Sequence, residues 1–206
     1  MNLSFAETLN KRFACKAYKD QAIAKADMDF ILEAGRLAPS SCGFEPWKFI
    51  VLSKRSDNEA LSKVAFNQEN VASASHNVVI VARTDLQAKD EYIQKQIARI
   101  CPPDDEVKFN EILQTYTYAT NTMNAEQLYA FAHSNCYLPL MQMATAAMTL
   151  GIDSCMIGGF EKEKVDAYLG LKKPFETAVI LSLGYRKQEP KYQKIRLSFE
   201  EVVEYR

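Results

Sequence analysis

Arg12 and Lys16 stand four residues apart near the start of the chain. At the end of a helix that spacing projects both cations to one side, where they either grip an anion or sit in solvent. Lys194 and Arg196, near the other end, are two apart, and on an extended segment they too face one side. A solvated basic tail is the competing reading. A third group is the run from Ala38 to Trp47, APSSCGFEPW, which includes Pro39, Ser40, Ser41 and Gly43. Small residues and hydroxyls let backbone approach a flat or phosphorylated ligand closely, although such a run equally serves as a helix-to-strand loop. Gly158 and Gly159 follow an apolar stretch. They either lend N–H groups to a ligand or make a tight turn.

Other chemistries find little support. The chain of 206 residues carries 25 Lys+Arg against 26 Asp+Glu, so no long-range field draws it to nucleic acid or an anionic membrane. An anion site must therefore be local. The five cysteines form no CxxC, and two histidines supply no zinc-type spacing. The cysteines read as reduced, buried thiols of a cytoplasmic protein. His76 opens an apolar run and reads as structural, and His133 has no carboxylate at neighbouring helical spacing. GxGxxG, the P-loop and GxSxG are all absent. No apolar run reaches membrane-span length, and the start MNLSFAETLNKRFA lacks a signal peptide's apolar segment. Neither a membrane nor a nucleic acid is expected as a partner.

The elements that must position these groups follow from periodicity. Residues 4–12 and 26–38 read as amphipathic helices, the second ended by Pro39. WKFIVLS is a strand. Residues 57–66 and 67–75 form short helices, and HNVVIVART is a strand buried on both faces. Residues 86–101 and 104–119 are helical, polar and partly exposed. Residues 124–150 make one long buried helix, kinked near Pro139 and stopped by Gly151. IDSCMIGGF and FETAVILSLGY are strands around a small helix. About four strands mixed with helices predict a single α/β layered domain over 1–206, with a helical excursion around 86–122.

Taken in order, these segments resemble the nitroreductase family of flavoproteins. The resemblance rests on LNKRFACKAY (9–18), APSSCGFEPWKFIVL (38–52), FNQENVASASHNVVIVA (66–82), LGIDSCMIGGF (150–160) and KIR (194–196). The family shows a similar Arg-x-x-x-Lys and a loop of the form A/S-P-S-S-x-N-x-Q-P-W. The chain departs from the family pattern at Ala14, Gly43, Glu45, Asn70 and Gly158, where a serine, Asn, Gln, a second Lys and an acidic residue are usual.

The resemblance implies an α+β fold with a mixed, mostly antiparallel central sheet flanked by helices, in an intertwined homodimer. It implies FMN as cofactor and NADH or NADPH as hydride donor. The activity implied is ping-pong reduction of nitroaromatics, quinones or similar electron-poor small molecules. A flavin reductase, a metabolite-specific oxidoreductase and a flavin-binding sensor on the same fold are the alternatives. The implied site has Arg12, Lys194 and Arg196 on the phosphate, with Phe13 and Ala14 beside them. Lys16, Asn67 and Asn70 fall at the pyrimidine edge, and Ile157, Gly158 and Gly159 near the reactive ring. Pro39, Ser40, Ser41 and Gly43 would come from the partner subunit. No side chain is implied as a catalytic acid or base, because the flavin carries the chemistry.

Overall fold

The computed structural model describes residues 3–206. Four strands form one sheet: β1 (Trp47–Leu52), β2 (His76–Arg83), β3 (Asp153–Ile157) and β4 (Phe175–Gly184), in the order β1-β2-β4-β3. Every pairing between them is antiparallel. Among the described residues the one parallel pairing is an isolated bridge from Ala14 to Ser154, which lays the segment after the first helix along the outer edge of β3.

Alternation along β2 shows why the run is apolar throughout. Val78, Ile80 and Ala82 enter the larger core, whereas Val79 and Val81 enter a second core on the opposite face. Both faces are covered, so no position in the strand's middle is free to be polar. The larger core lies under α7 (Ala125–Thr149), with α2 (Lys25–Arg36) packed on it. The second core lies under α3 (Arg55–Val64) and α8 (Lys162–Tyr168).

Helix α7 starts at a capping box in which Asn124 and Gln127 satisfy each other's backbone N–H. Pro139 is buried inside the helix, and Gly151, with φ +74°, takes the left-handed turn that ends it. At Gly35 the two helices come so close that an added Cβ would lie 2.7 Å from Met143 Cγ. The first helix, α1 (Phe5–Lys11), is opened by a Ser4–Glu7 capping box. Helix α4 (Glu69–Ala72) precedes β2.

Between β2 and α7 lie α5 (Glu91–Ile100) and α6 (Glu106–Thr120). Their outer faces are charged, but Ile93, Ile97 and Tyr116 are buried in the larger core. The pair thus forms part of the cover on that face. Beyond Arg186 the chain runs extended and exposed, with one short helix, α9 (Phe199–Val202), capped by Ser198. No helix among the described residues is long and apolar enough to cross a membrane.

Candidate functional site

The cations come together, by a different local geometry from the one expected. Helix α1 stops at Lys11, and Arg12 caps it with extended dihedrals, its N–H donating to Thr8 at 3.0 Å. Arg12 to Lys16 is therefore extended chain. An even spacing on extended backbone also puts side chains on one side, so the outcome survives the change of reason. Lys194 Nζ donates to the Leu9 carbonyl, which ties the tail to α1. Desolvation, reinforced by the charges of Arg12 and Arg196, holds the Lys194 ammonium below its ordinary pKa. Among the described residues none of Arg12, Lys16, Lys194 and Arg196 forms an ion pair. Like charges gathered without a carboxylate repel one another, and such a group is stabilised by an anion from outside.

Strand β3 is the spine of the site. Ala14 bridges to Ser154 near its start, and Cys15 N–H donates to the Ser154 carbonyl at 3.1 Å. Asp153 is 2 % exposed and accepts from the backbone N–H and Nε of Arg186, both at 3.0 Å. The Arg186 guanidinium in turn covers the Phe13 ring at 4.8 Å. That clamp fixes the segment carrying Arg12, Ala14 and Lys16 against the strand. Cys155, the next residue, is buried. Burial raises its thiol pKa, opposed by the Lys16 charge, a hydrogen bond from Asn70 and the Arg12 charge. Asn70 is itself 4 % exposed, with its amide committed to Cys155 Sγ at 3.2 Å. It supports the strand from within.

The far end of β3 opens into a shallow cradle. Ile157 is buried, so it can offer only backbone. Gly158 and Gly159 are exposed, and neither takes a left-handed conformation. An added Cβ at Gly158 would meet nothing within 4 Å, and one at Gly159 would lie 3.6 Å from the Phe66 ring. Phe66 and Asn67 take φ of +57° and +54° in succession, and both are exposed. For a bulky aromatic residue this costs on the order of 1–3 kcal/mol and calls for external support. Support comes from Gln68, whose amide donates to Ala65 and Gly159 carbonyls at 2.9 and 2.7 Å. Asn67 N–H donates to Ser62 at 2.8 Å. Behind this turn a buried chain of amides anchors α4. Asn77 donates to Asn58 and to Val71, Ser182 donates to Asn77, and Asn58 donates to Ala74.

Pro39, Ser40, Ser41 and Gly43 lie elsewhere. Pro39 and Ser40 lead into a 3-10 turn (Ser41–Gly43) in which Cys42, Gly43 and, just beyond, Glu45 all have positive φ. Side chains hold this backbone in place. Asn135 of α7 accepts from Ser41 N–H at 2.9 Å, and Tyr92 and Gln96 of α5 donate to the Phe44 carbonyl. Arg99 grips the Glu45 carboxylate at 2.6 Å. Glu45, which stands where the resemblance suggests Gln, thus has a charged partner of its own. The turn feeds β1, at the opposite edge of the sheet from β3. Trp47 aligns with Ala82 and through it with Glu176, while Ser154 aligns with Leu183. Turn and cations therefore occupy diagonal corners of the sheet. Three strand steps separate them across the sheet, roughly 14 Å, and about seven residues along it, roughly 23 Å.

The cysteine reading needs one correction. All five thiols are free, but Cys42 is exposed, because the left-handed turn lifts it off the core. Sequence reasoning also passed over Phe66, whose position depends on a backbone conformation that phenylalanine does not signal. Asn67, which tolerates that region, was the available hint.

A four-stranded antiparallel sheet between two helical layers, with cations at one end of an edge strand and a glycine cradle at the other, defines the protein as an α+β fold. The model of the nitroreductase family matches residues 9–185. The chain is 34 % identical to a Staphylococcus epidermidis protein named "Putative NAD(P)H nitroreductase", over 98 % of this chain and 97 % of that one. It therefore belongs to the nitroreductase family. A solved nitroreductase family protein from Streptococcus pneumoniae superposes with TM-score 0.82 at 28 % identity, covering 98 % of this chain and all of the other. A protein from Exiguobacterium sibiricum, solved in complex with FMN, has the same fold, with TM-score 0.84 at 24 % identity over 99 % of this chain and 98 % of its own.

Proposed function

We propose that this chain is an FMN-dependent NAD(P)H oxidoreductase that reduces electron-poor acceptors such as nitroaromatics and quinones by a ping-pong cycle, as a homodimer. The observation that carries the reading is the gathering of Arg12, Lys194 and Arg196 without a carboxylate, at one end of a strand whose other end is a bare glycine cradle. The strand spans five residues, roughly 16 Å, which suits a ligand with a phosphate at one end and a flat ring at the other. The FMN complex of the Exiguobacterium protein and the NAD(P)H in the Staphylococcus protein's name support the same assignment.

Arg12, Lys194 and Arg196 bind the phosphate through charge-assisted hydrogen bonds, which arginine can make in pairs. Lys16 and Asn67 stand at the pyrimidine edge, where a cation favours negative charge on the ring. The backbone N–H groups of Gly158 and Gly159 orient the reactive ring, and the absence of side chains leaves room for a second planar molecule above it. Asn70 acts indirectly, by fixing Cys155 and hence β3. When bound, FMN supplies the hydride transfer itself, from NAD(P)H and on to the acceptor.

The diagonal placement of the Ser40–Gly43 turn supports the homodimer. Within one chain the turn stands at the opposite sheet edge from the cradle, three strand steps or roughly 14 Å away, and diagonally across from the cations, so Pro39, Ser40, Ser41 and Gly43 close the site of a second copy. Exposed apolar side chains supply a surface for such pairing: Phe30 and Leu37 on and just after α2, Tyr137, Leu138 and Met141 on α7, and Ile195, Leu197 and Phe199 in the tail. The test is the visible spectrum of the purified protein, followed by anaerobic titration with NADH and with NADPH and a screen of acceptors. Yellow protein, bleached by one nicotinamide and restored by a quinone or nitroaromatic, is expected. Protein that binds no FMN sinks the reading. Reduced protein reoxidised by no acceptor faster than by oxygen leaves a flavin-binding protein without this activity.

A further inference from the structure

Arg12, Lys16, Lys194 and Arg196 carry like charge and repel one another, so the backbone that bears them has to be held by contacts in which they take no part. For the first two, those contacts fall between residues 13 and 19. Cys15 N–H donates to Ser154 on β3, Lys187 N–H donates to Ala17 at 3.0 Å, and Lys19 N–H donates to Tyr185 at 2.8 Å. Tyr18 forms an antiparallel bridge with Arg186, and its hydroxyl donates to the Ser182 carbonyl at 3.0 Å. Its ring takes the space beside Gly184, where an added Cβ would lie 2.8 Å from it.

Arg186 stands at the centre of these ties. Its Nε and Nη2 are taken by the buried Asp153 carboxylate, with Nη2 2.9 Å from Oδ1, and its Nη1 donates to Glu189 at 2.7 Å. Its flat face covers the ring of Phe13, the neighbour of Arg12. A lysine would neutralise Asp153 as well. Only a planar guanidinium holds a carboxylate along its edge and an aromatic ring against its face at once. A buried ion pair is commonly no more stabilising than well-packed apolar residues of the same size. What this one supplies is a fixed place for Phe13, and Arg12 inherits it.

We propose that Arg186 is a positioning residue for the flavin phosphate, which aims Arg12 through Phe13 and so sets the preference for FMN over riboflavin, the same flavin without its phosphate. The proposal rests on the function proposed above, in which Arg12 binds that phosphate. Arg186 itself makes no contact with the flavin. An arginine held in place before the ligand arrives loses less freedom on binding than one on a loose segment. The flavin ring, at the other end of β3, gains nothing from this clamp.

The experiment uses the full-length protein, stripped of flavin and titrated separately with FMN and with riboflavin by quenching of flavin fluorescence. Arg186→Lys keeps the charge on Asp153 and gives up the plane. It should weaken FMN binding about tenfold, the scale on which contacts behind the ligand-touching groups act, and change riboflavin binding by less than about twofold. Phe13→Leu leaves the buried ion pair intact and should give the same selective loss, and it decides the matter should Arg186→Lys fail to fold. In an Arg12→Ala background neither substitution should have much further effect, because Arg12 is the residue they act through. Equal losses for both flavins would make Arg186 a structural residue. Losses that add to that of Arg12→Ala would make it a direct ligand. Either result overturns the proposal, as does unchanged FMN binding. Parent protein that binds neither flavin fails the function proposed above, whereas a parent that prefers FMN, with the preference intact in both variants, fails this inference alone.

Discussion

Replacing Arg196 by alanine should separate cofactor binding from folding, with effects of opposite sign. In the protein without ligand, Arg196 adds to the charge that holds the Lys194 pKa down, and it forms no ion pair. A lysine whose folded pKa is depressed is a cost to the fold at low pH, relieved as pH rises through the folded pKa toward its unfolded value. Removing Arg196 removes part of that cost. The ligand-free variant should melt at the same temperature as the parent or slightly higher, and its melting temperature should rise less with pH on the alkaline side. With FMN the sign reverses. A hydrogen bond to a charged group contributes about 1.5 to 3 kcal/mol, which is roughly a 10- to 150-fold weaker dissociation constant. Quenching of flavin fluorescence measures that constant, and raising salt should narrow the gap between variant and parent. An unchanged dissociation constant, or a ligand-free variant that melts several degrees lower, would refute the phosphate assignment and make Arg196 a structural residue.

Three further outcomes follow from particular contacts. Arg186→Ala leaves the 2 % exposed Asp153 carboxylate without its cation and should cost about 3–5 kcal/mol in urea unfolding; a loss below about 1 kcal/mol would mean the pair is dispensable. Glu176 is desolvated, which raises its pKa, but bonds from Lys162 and Lys173 outweigh this and leave it lowered. Its contribution is therefore present above the unfolded carboxylate pKa and lost as pH falls through the folded one, so Glu176→Gln should cost about 1–2 kcal/mol at neutral pH and flatten the acid limb of the stability profile. Gly159→Ala adds a methyl group at ordinary contact distance from Phe66 on unstrained backbone. It should shift stability by no more than about 0.5 kcal/mol while lowering turnover, and equal loss of both would assign the glycine to folding.

Much of the fold could be read from the residues themselves. The unbroken apolar run of β2 reported a strand covered on both faces, and Gly151 marked the stop of the long helix. The cation pairs were visible as spacings, yet nothing local distinguished them from a solvated surface. Only the pairing of Ala14 with Ser154, between residues far apart in the chain, brings Arg12 beside β3. Asn70, expected at the pyrimidine edge, is buried with its amide on Cys155, a partner 85 residues away that no local pattern announces. The exposure of Cys42 and the turn at Phe66 depend on positive φ at residues whose types do not require it. Such conformations are imposed by Gln68, Asn135, Tyr92 and Gln96, and so appear only once those side chains are in place.

The diagonal separation of turn and cations has a genetic consequence. In the proposed homodimer each cradle borrows its cover from the other chain. Take one chain damaged only in the Ser40–Gly43 turn and another damaged only at Arg12 or Arg196. Each is inactive as a pure dimer. Where the two pair, both lesions fall in the same cradle, and the other is assembled entirely from sound parts. Two null alleles expressed together should thus restore activity that neither yields alone, and recessive loss at one corner would be masked by loss at the other.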